Sequence, residues 1–258
     1  MDRRFTLALA ILVLVAGALA LWLSPQAPPP APDQAQSSQS DAPPPRNQPY
    51  VLAISWHPAF CEDRSGRTEC RNEGPEDFAA DNFVLHGLWP EDEYCGVDDR
   101  TIATDTAGRW DELPELDVTS ATWRELTRVM PGTHEQLERH EWIFHGTCSG
   151  VDAETYFGRA MALLAAVNAS EVRDLFARSI GTPVSRTNIR QAFDSAFGPG
   201  AGRKVRVDCD DVNGRMLITE LRINLSGDVL GSDDLPSLFA AARNAGAGCQ
   251  SGIIDEAG

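Results

Sequence analysis

Alternation of apolar and polar positions is clearest at residues 217–225, where Leu217, Thr219, Leu221, Ile223 and Leu225 share one face of an extended chain. Residues 50–56, 82–88 and 204–209 are also rich in β-branched and other apolar side chains, so four strands are predicted. Helical spacing governs residues 119–130, 154–167, 170–180 and 186–197; the first follows a Ser/Thr start and stops at Pro131-Gly132, and most of the others end at Gly or Pro. An α+β architecture follows, a single domain with a central antiparallel sheet flanked by helices. On this layout His86 lies on a strand and residues 140–145 lie on or beside a helix, so that the two segments can face each other across a cleft.

Two N-terminal stretches break the pattern. Arg3 and Arg4 precede an apolar run at residues 5–23, long enough for the core of a signal peptide or for a bilayer crossing. Ala18-Leu19-Ala20 suits a signal peptidase, yet Leu21-Trp22-Leu23 keeps the run apolar, so a cleaved signal and a retained anchor both stay open. Either exports the remainder, to the periplasm, to the medium or to the outer side of the inner membrane. Residues 24–49 turn to Pro, Ala, Gln and Ser, with Pro28-Pro29-Pro30 and Pro43-Pro44-Pro45, a composition that buries little and reads as a disordered linker. Residues 50–258 then form the folded domain, and any catalytic residues must lie there.

Chemistry concentrates in two segments, Phe83-Val84-Leu85-His86-Gly87-Leu88-Trp89-Pro90 and His140-Glu141-Trp142-Ile143-Phe144-His145-Gly146-Thr147-Cys148, which hold three of the five histidines. Imidazoles titrate near neutrality, so two that converge on one bond can take a proton from a nucleophile and return it to a leaving group without a metal. A zinc helix fits poorly: ligands five apart, as in His140 and His145, point to different faces, whereas H-E-x-x-H places them four apart. His57 and His134 sit in uninformative contexts and read as structural or surface residues. Trp89 offers a flat face on which a planar ring can stack and Glu91 a hydrogen-bond acceptor, while Trp142 reads as packing.

The first segment resembles the first active-site segment of the ribonuclease T2 family, and the second resembles its H-E-W-x-K-H-G-T-C segment. The likeness continues through Thr155-Tyr156-Phe157-Gly158, Val184-Ser185-Arg186 and Ala192-Phe193 to Leu217-Ile218-Thr219-Glu220-Leu221, and bacterial periplasmic members are the most similar. The resemblance implies an endoribonuclease of low base specificity that uses no cofactor or metal and cuts single-stranded RNA through 2′,3′-cyclic phosphates. DNA, without the 2′-hydroxyl, is spared. By motif position His145 is the general base, His86 the general acid, Glu141 a phosphate-polarising or proton-positioning group, and His140, Trp89 and Glu91 contact substrate. The expected assembly is a monomer.

One position departs from the family. Phe144 stands where the second segment carries lysine, removing a cation that would face the phosphorane; loss of one such donor costs about 10²–10³ in rate. Arg71, Arg100, Arg139 and Lys204 are candidate replacements, and Phe144→Lys is expected to raise turnover unless the charge is already supplied.

Net charge is −16. Arg3, Arg4 and Arg46 balance Asp2, Asp33 and Asp41, so the acidity lies in residues 50–258. That opposes tight nucleic-acid binding more than it opposes turnover, because charges beyond about 8 Å are screened at physiological salt. It also predicts an acidic optimum. Arg203-Lys204-Val205-Arg206 reads as solvated strand-end charge, and Asn168-Ala169-Ser170 and Asn224-Leu225-Ser226 as chance sequons. Six cysteines in an exported chain point to disulfides, with fifteen full pairings open; the family resemblance implies Cys61 with Cys70, Cys95 with Cys148, and Cys209 with Cys249. Three functions are therefore weighed: an exported ribonuclease, a weakened relative that binds RNA or a protein partner, and an unrelated exported hydrolase.

Overall fold

Leu52, Ile54, Leu221, Ile223 and Leu225 are all essentially buried, and they lie on one face of a six-stranded sheet. The computed structural model describes residues 48–71 and 74–257. The expected leader at residues 1–23 and nearly all of the linker at 24–49 fall outside them. Among the described residues no helix is long and apolar enough to cross a membrane.

In chain order the strands are β1 (Tyr50–Ser55), β2 (Val84–Pro90), β3 (Pro183–Ser185), β4 (Val205–Val212), β5 (Arg215–Leu225) and β6 (Ser251–Ile253). The α-helices are α1 (His57–Cys61), α2 (Asp99–Thr106), α3 (Ser120–Val129), α4 (Leu137–Phe144), α5 (Ala153–Asn168), α6 (Glu171–Ala177), α7 (Arg186–Phe197) and α8 (Leu235–Ala241). Side-chain oxygens of Thr119, Asp152, Ser170 and Ser185 accept from backbone N–H groups in the first turns of α3, α5, α6 and α7, and so fix where these helices start.

The sheet runs β2-β1-β5-β6-β3, with β4 on the other edge of β5. It is mixed rather than wholly antiparallel. β1 covers β5 only from Glu220 to Leu225, and β6 pairs in parallel at Leu217, on the length of edge that β1 leaves open. β3 and β6 were missed in the sequence because three residues are too few to show a period.

Helices cover the apolar face, packing Tyr156, Phe157 and Leu163 of α5, Phe176 of α6, Phe193 of α7 and Phe239 of α8 into one core with the strands. Tyr156 donates its hydroxyl proton to the Leu88 carbonyl at 2.6 Å and ties α5 to β2. Disulfides join Cys61 to Cys70, Cys95 to Cys148 and Cys209 to Cys249, the pairs that the resemblance implies. The opposite face of the sheet stays open at its centre, and there the chemistry-bearing residues collect.

Candidate active site

An ordinary strand would send His86 and Trp89 to opposite faces, since they are three residues apart. In β2 both are half-buried on the open face. The reason is a bulge: Ala53 of β1 pairs with Gly87 and Ile54 with Leu85, so His86 has no opposite residue and the parity of the strand reverses there. Gly87 is required between them. A Cβ on it would lie 1.9 Å from Glu141 Oε2 and 2.5 Å from Trp89 Nε1.

β5 contributes to the same face. Because Leu221, Ile223 and Leu225 point into the core, Glu220 and Arg222 point out of it, beside His86. His86 Nδ1 donates to Glu220 Oε2 at 2.5 Å, and its Nε2 lies 3.6 Å from Glu141 Oε1. Burial pulls the His86 pKa down, but the bond to Glu220 and the charges of Glu141 and Glu220 outweigh it and leave the imidazole above its ordinary value. Glu220 moves the opposite way. Burial raises it, yet the bond and charge of His86 with those of Arg222 bring the carboxyl below its usual range. Glu141, on α4, is almost wholly buried and accepts from Trp89 Nε1 at 2.8 Å; burial raises its pKa against the partial relief given by His86 and His140.

His145 caps the C-terminal end of α4 and meets a different environment. Its ring stacks on Trp89 at 5.3 Å, and Phe144 packs edge-on against it at 4.4 Å. Its Nδ1 is buried without a hydrogen-bond partner among the described residues. Burial, with the nearby His140 and His86 charges, lowers its pKa to about 3. The two imidazoles thus pack on one indole, His86 edge-on at 5.1 Å and His145 stacked, with opposite electrostatic settings.

His140 completes the cluster at 6.5 Å from His145. Its Nδ1 donates to Asp105 Oδ1 at 2.8 Å, Tyr94 donates to the other oxygen of Asp105 at 2.6 Å, and Trp110 stacks on the ring at 4.6 Å. Behind the histidines, a Cβ at Gly146 would meet Trp142 at 2.3 Å, and the Cys95–Cys148 disulfide ties the loop after β2 to the turn after α4.

Two cavities open at the cluster, one at His86 and one at His145. One of about 330 Å³ is lined by His86, Glu220 and Arg222 with Ser55, Phe60 and Trp110. The other, of about 400 Å³, is lined by Trp89, His145 and Glu91 with Tyr50, Asn224 and Arg243. Glu91 is not free there, because Arg243 donates to its Oε1 at 2.9 Å. His57 and His134 lie outside the cluster. His57 is buried near the Glu69 carbonyl, and its ligand-like neighbours Cys61 and Cys70 have their sulfurs joined in a disulfide.

The model of the ribonuclease T2 family matches residues 48–233. The chain belongs to the ribonuclease T2 family. It is a T2-type endoribonuclease, 30% identical to ribonuclease I of Escherichia coli across 81% of this chain and 86% of that one. Ribonuclease S-7 of Nicotiana alata is 30% identical across 43% of this chain and 48% of its own length. A crystal structure of RNase NT in complex with 5′-AMP shares the fold, with a TM-score of 0.50 and 20% identity over 80% of this chain and 96% of the other.

Within this ribonuclease T2 site, none of the four cations weighed as stand-ins for the missing lysine lines either cavity. Arg71 is bound to the Gly66 carbonyl, Arg139 to the carbonyls of Asp111 and Leu113, and Lys204 to that of Ala242, while Arg100 is exposed at the start of α2. Glu220, Arg222 and Asp105 were missed as site residues. Glu220 and Arg222 did carry a signal, as charges among the apolar positions of the clearest strand in the sequence.

Proposed function

We propose that the protein is an exported endoribonuclease that cleaves single-stranded RNA by metal-independent transphosphorylation, with His145 as general base, His86 as general acid and Glu141 positioning the acid. The contrast between the two imidazoles supports this reading most directly. His145 is held neutral by burial and by the neighbouring histidine charges, as a base must begin, and His86 is held cationic between Glu220 and Glu141, as an acid must begin.

His145 takes the proton of the 2′-hydroxyl as O2′ bonds to phosphorus. The P–O5′ bond breaks, and His86 gives its proton to O5′, leaving a 2′,3′-cyclic phosphate and a free 5′-hydroxyl. A later hydrolysis exchanges the two roles. The nucleoside that carries the 2′-hydroxyl occupies the cavity at His145, stacked on Trp89, and the leaving nucleoside the cavity at His86. Stacking on an indole tolerates any base, and Glu91 is engaged by Arg243, which together favour low base specificity. His140, braced by Asp105, contacts the phosphate.

Export is supported by the apolar run at residues 5–23 and by six cysteines that are all paired in disulfides. Phe144 favours a second reading, a weakened relative that binds RNA without useful turnover. Incubation of the purified protein with RNA or DNA, chelator present, separates them. Cyclic-phosphate ends on RNA alone are expected, and His86→Ala and His145→Ala should each lose at least about 10²–10⁴ in rate. Binding without cutting supports the second reading, and neither binding nor cutting refutes both.

A further inference from the structure

We propose that Arg222 supplies the cation that Phe144 has displaced, with its guanidinium facing the non-bridging oxygens of the scissile phosphate. This rests on the ribonuclease reading of the site and extends it to a residue outside the two motif segments.

The geometry comes from β5. Arg222 pairs across the sheet with Ala53, whose small side chain leaves room on the open face between β2 and β4. The guanidinium carbon lies 5.4 Å from the centre of the Trp89 ring, the same ring on which both His86 and His145 pack. Arg222 lines the cavity of His86, and its positive charge registers at that imidazole.

The way it is held matters more. Nε makes the contacts to carboxylates, at 2.6 Å to Glu220 Oε1 and 3.2 Å to Asp208 Oδ2. Nη1 and Nη2 have no hydrogen-bond partner among the described residues, and the side chain is 46% exposed. The anchored stem thus presents an unoccupied planar fork, a shape that takes two phosphate oxygens at once. The other arginines of this cavity are committed through their terminal nitrogens. Arg64 binds the Phe60 carbonyl and Asp63, and Arg67 binds Glu69.

Phe144 meanwhile gives up the motif charge for an aromatic wall, packing on His140, His145 and Tyr94. That wall deepens the burial which keeps His145 neutral. A lysine there would add a charge beside the base, whereas Arg222 brings its charge from the acid's side of Trp89.

The test uses a dinucleoside phosphate substrate, with kcat and KM followed across pH for the full chain and its variants. Arg222→Met keeps the aliphatic stem, and a thermal unfolding curve checks that it folds. Its plateau kcat should fall by about 10²–10³ with little change in KM, as for loss of one transition-state donor, and Arg222→Lys should fall less. Phe144→Lys should recover at least about tenfold in the Arg222→Met background and change the parent chain by less than roughly threefold. A plateau within about threefold of the parent overturns the inference, and so does a shift of the alkaline limb alone, which would mean that Arg222 acts only through Glu220. In both cases the parent still cleaves. A parent chain inert on RNA overturns the ribonuclease reading and this inference together.

Discussion

Two carboxylates, Glu220 and Glu141, set His86 apart from His145, and on the proposed assignment they make it the acid. Glu220 accepts from His86 at 2.5 Å and, with Glu141, carries that imidazole above its ordinary pKa despite burial. Glu220→Gln keeps the shape and removes the charge, so the His86 pKa should fall and the alkaline limb of the pH–rate profile should move to lower pH. A raised folded-state pKa stabilises fully below the unfolded value and loses that benefit as pH rises through the folded value. Glu220→Gln should therefore cost about 1.5–3 kcal/mol in urea unfolding at acidic pH, the range for a hydrogen bond to a charged group, and less at alkaline pH. Equal costs at both pH values would mean that Glu220 stabilises through Arg222 or through packing rather than through the His86 charge.

Two elements that are distant in sequence, β2 and α4, must stay in register for His86 and His145 to share Trp89. Glu141 links them through the Trp89 indole, and Cys95–Cys148 closes a loop of 53 residues between them. Cys95→Ser with Cys148→Ser should lower stability by about 2–4 kcal/mol, the usual worth of such a bridge. It should also reduce kcat at temperatures where the variant remains folded, because the turn that follows His145 loses its tether. Loss of stability with kcat intact would place the bridge outside catalysis. Among the elements themselves, α3, α5, α6 and α7 were legible because each combines an N-cap with apolar spacing. α4 was harder to delimit, since the residue before it, Gln136, is in a left-handed conformation and supplies no side-chain cap.

At the scale of the whole molecule, a net charge of −16 surrounds a site that must admit a polyanion. Acid favours both requirements, because it neutralises surface carboxylates and keeps His86 protonated. On the proposed assignment cleavage needs His145 deprotonated, which fails only as pH falls towards about 3, and His86 protonated, which fails as pH rises through its elevated value. The profile of kcat/KM should thus be bell-shaped with its maximum on the acid side of neutrality. A maximum above neutral pH would exclude this assignment of acid and base.

The order of apolar and polar residues was enough to determine the main strands and helices, because burial of one face repeats locally every two or 3.6 residues. The two histidine segments were legible because each is contiguous in the chain, and the anomaly at Phe144 through the family resemblance that the second segment carries. Glu220, Arg222 and Asp105 belong to the site through pairings across 134, 133 and 35 positions respectively in the case of His86 with Glu220, Trp89 with Arg222, and Asp105 with His140. Strand order and the bulge at His86 fix those neighbours, and a periodic pattern contains neither. The resemblance implied which imidazole starts charged, but the cause lies only in three dimensions, since a pKa answers to burial and to charges a few ångströms away, wherever they lie along the chain.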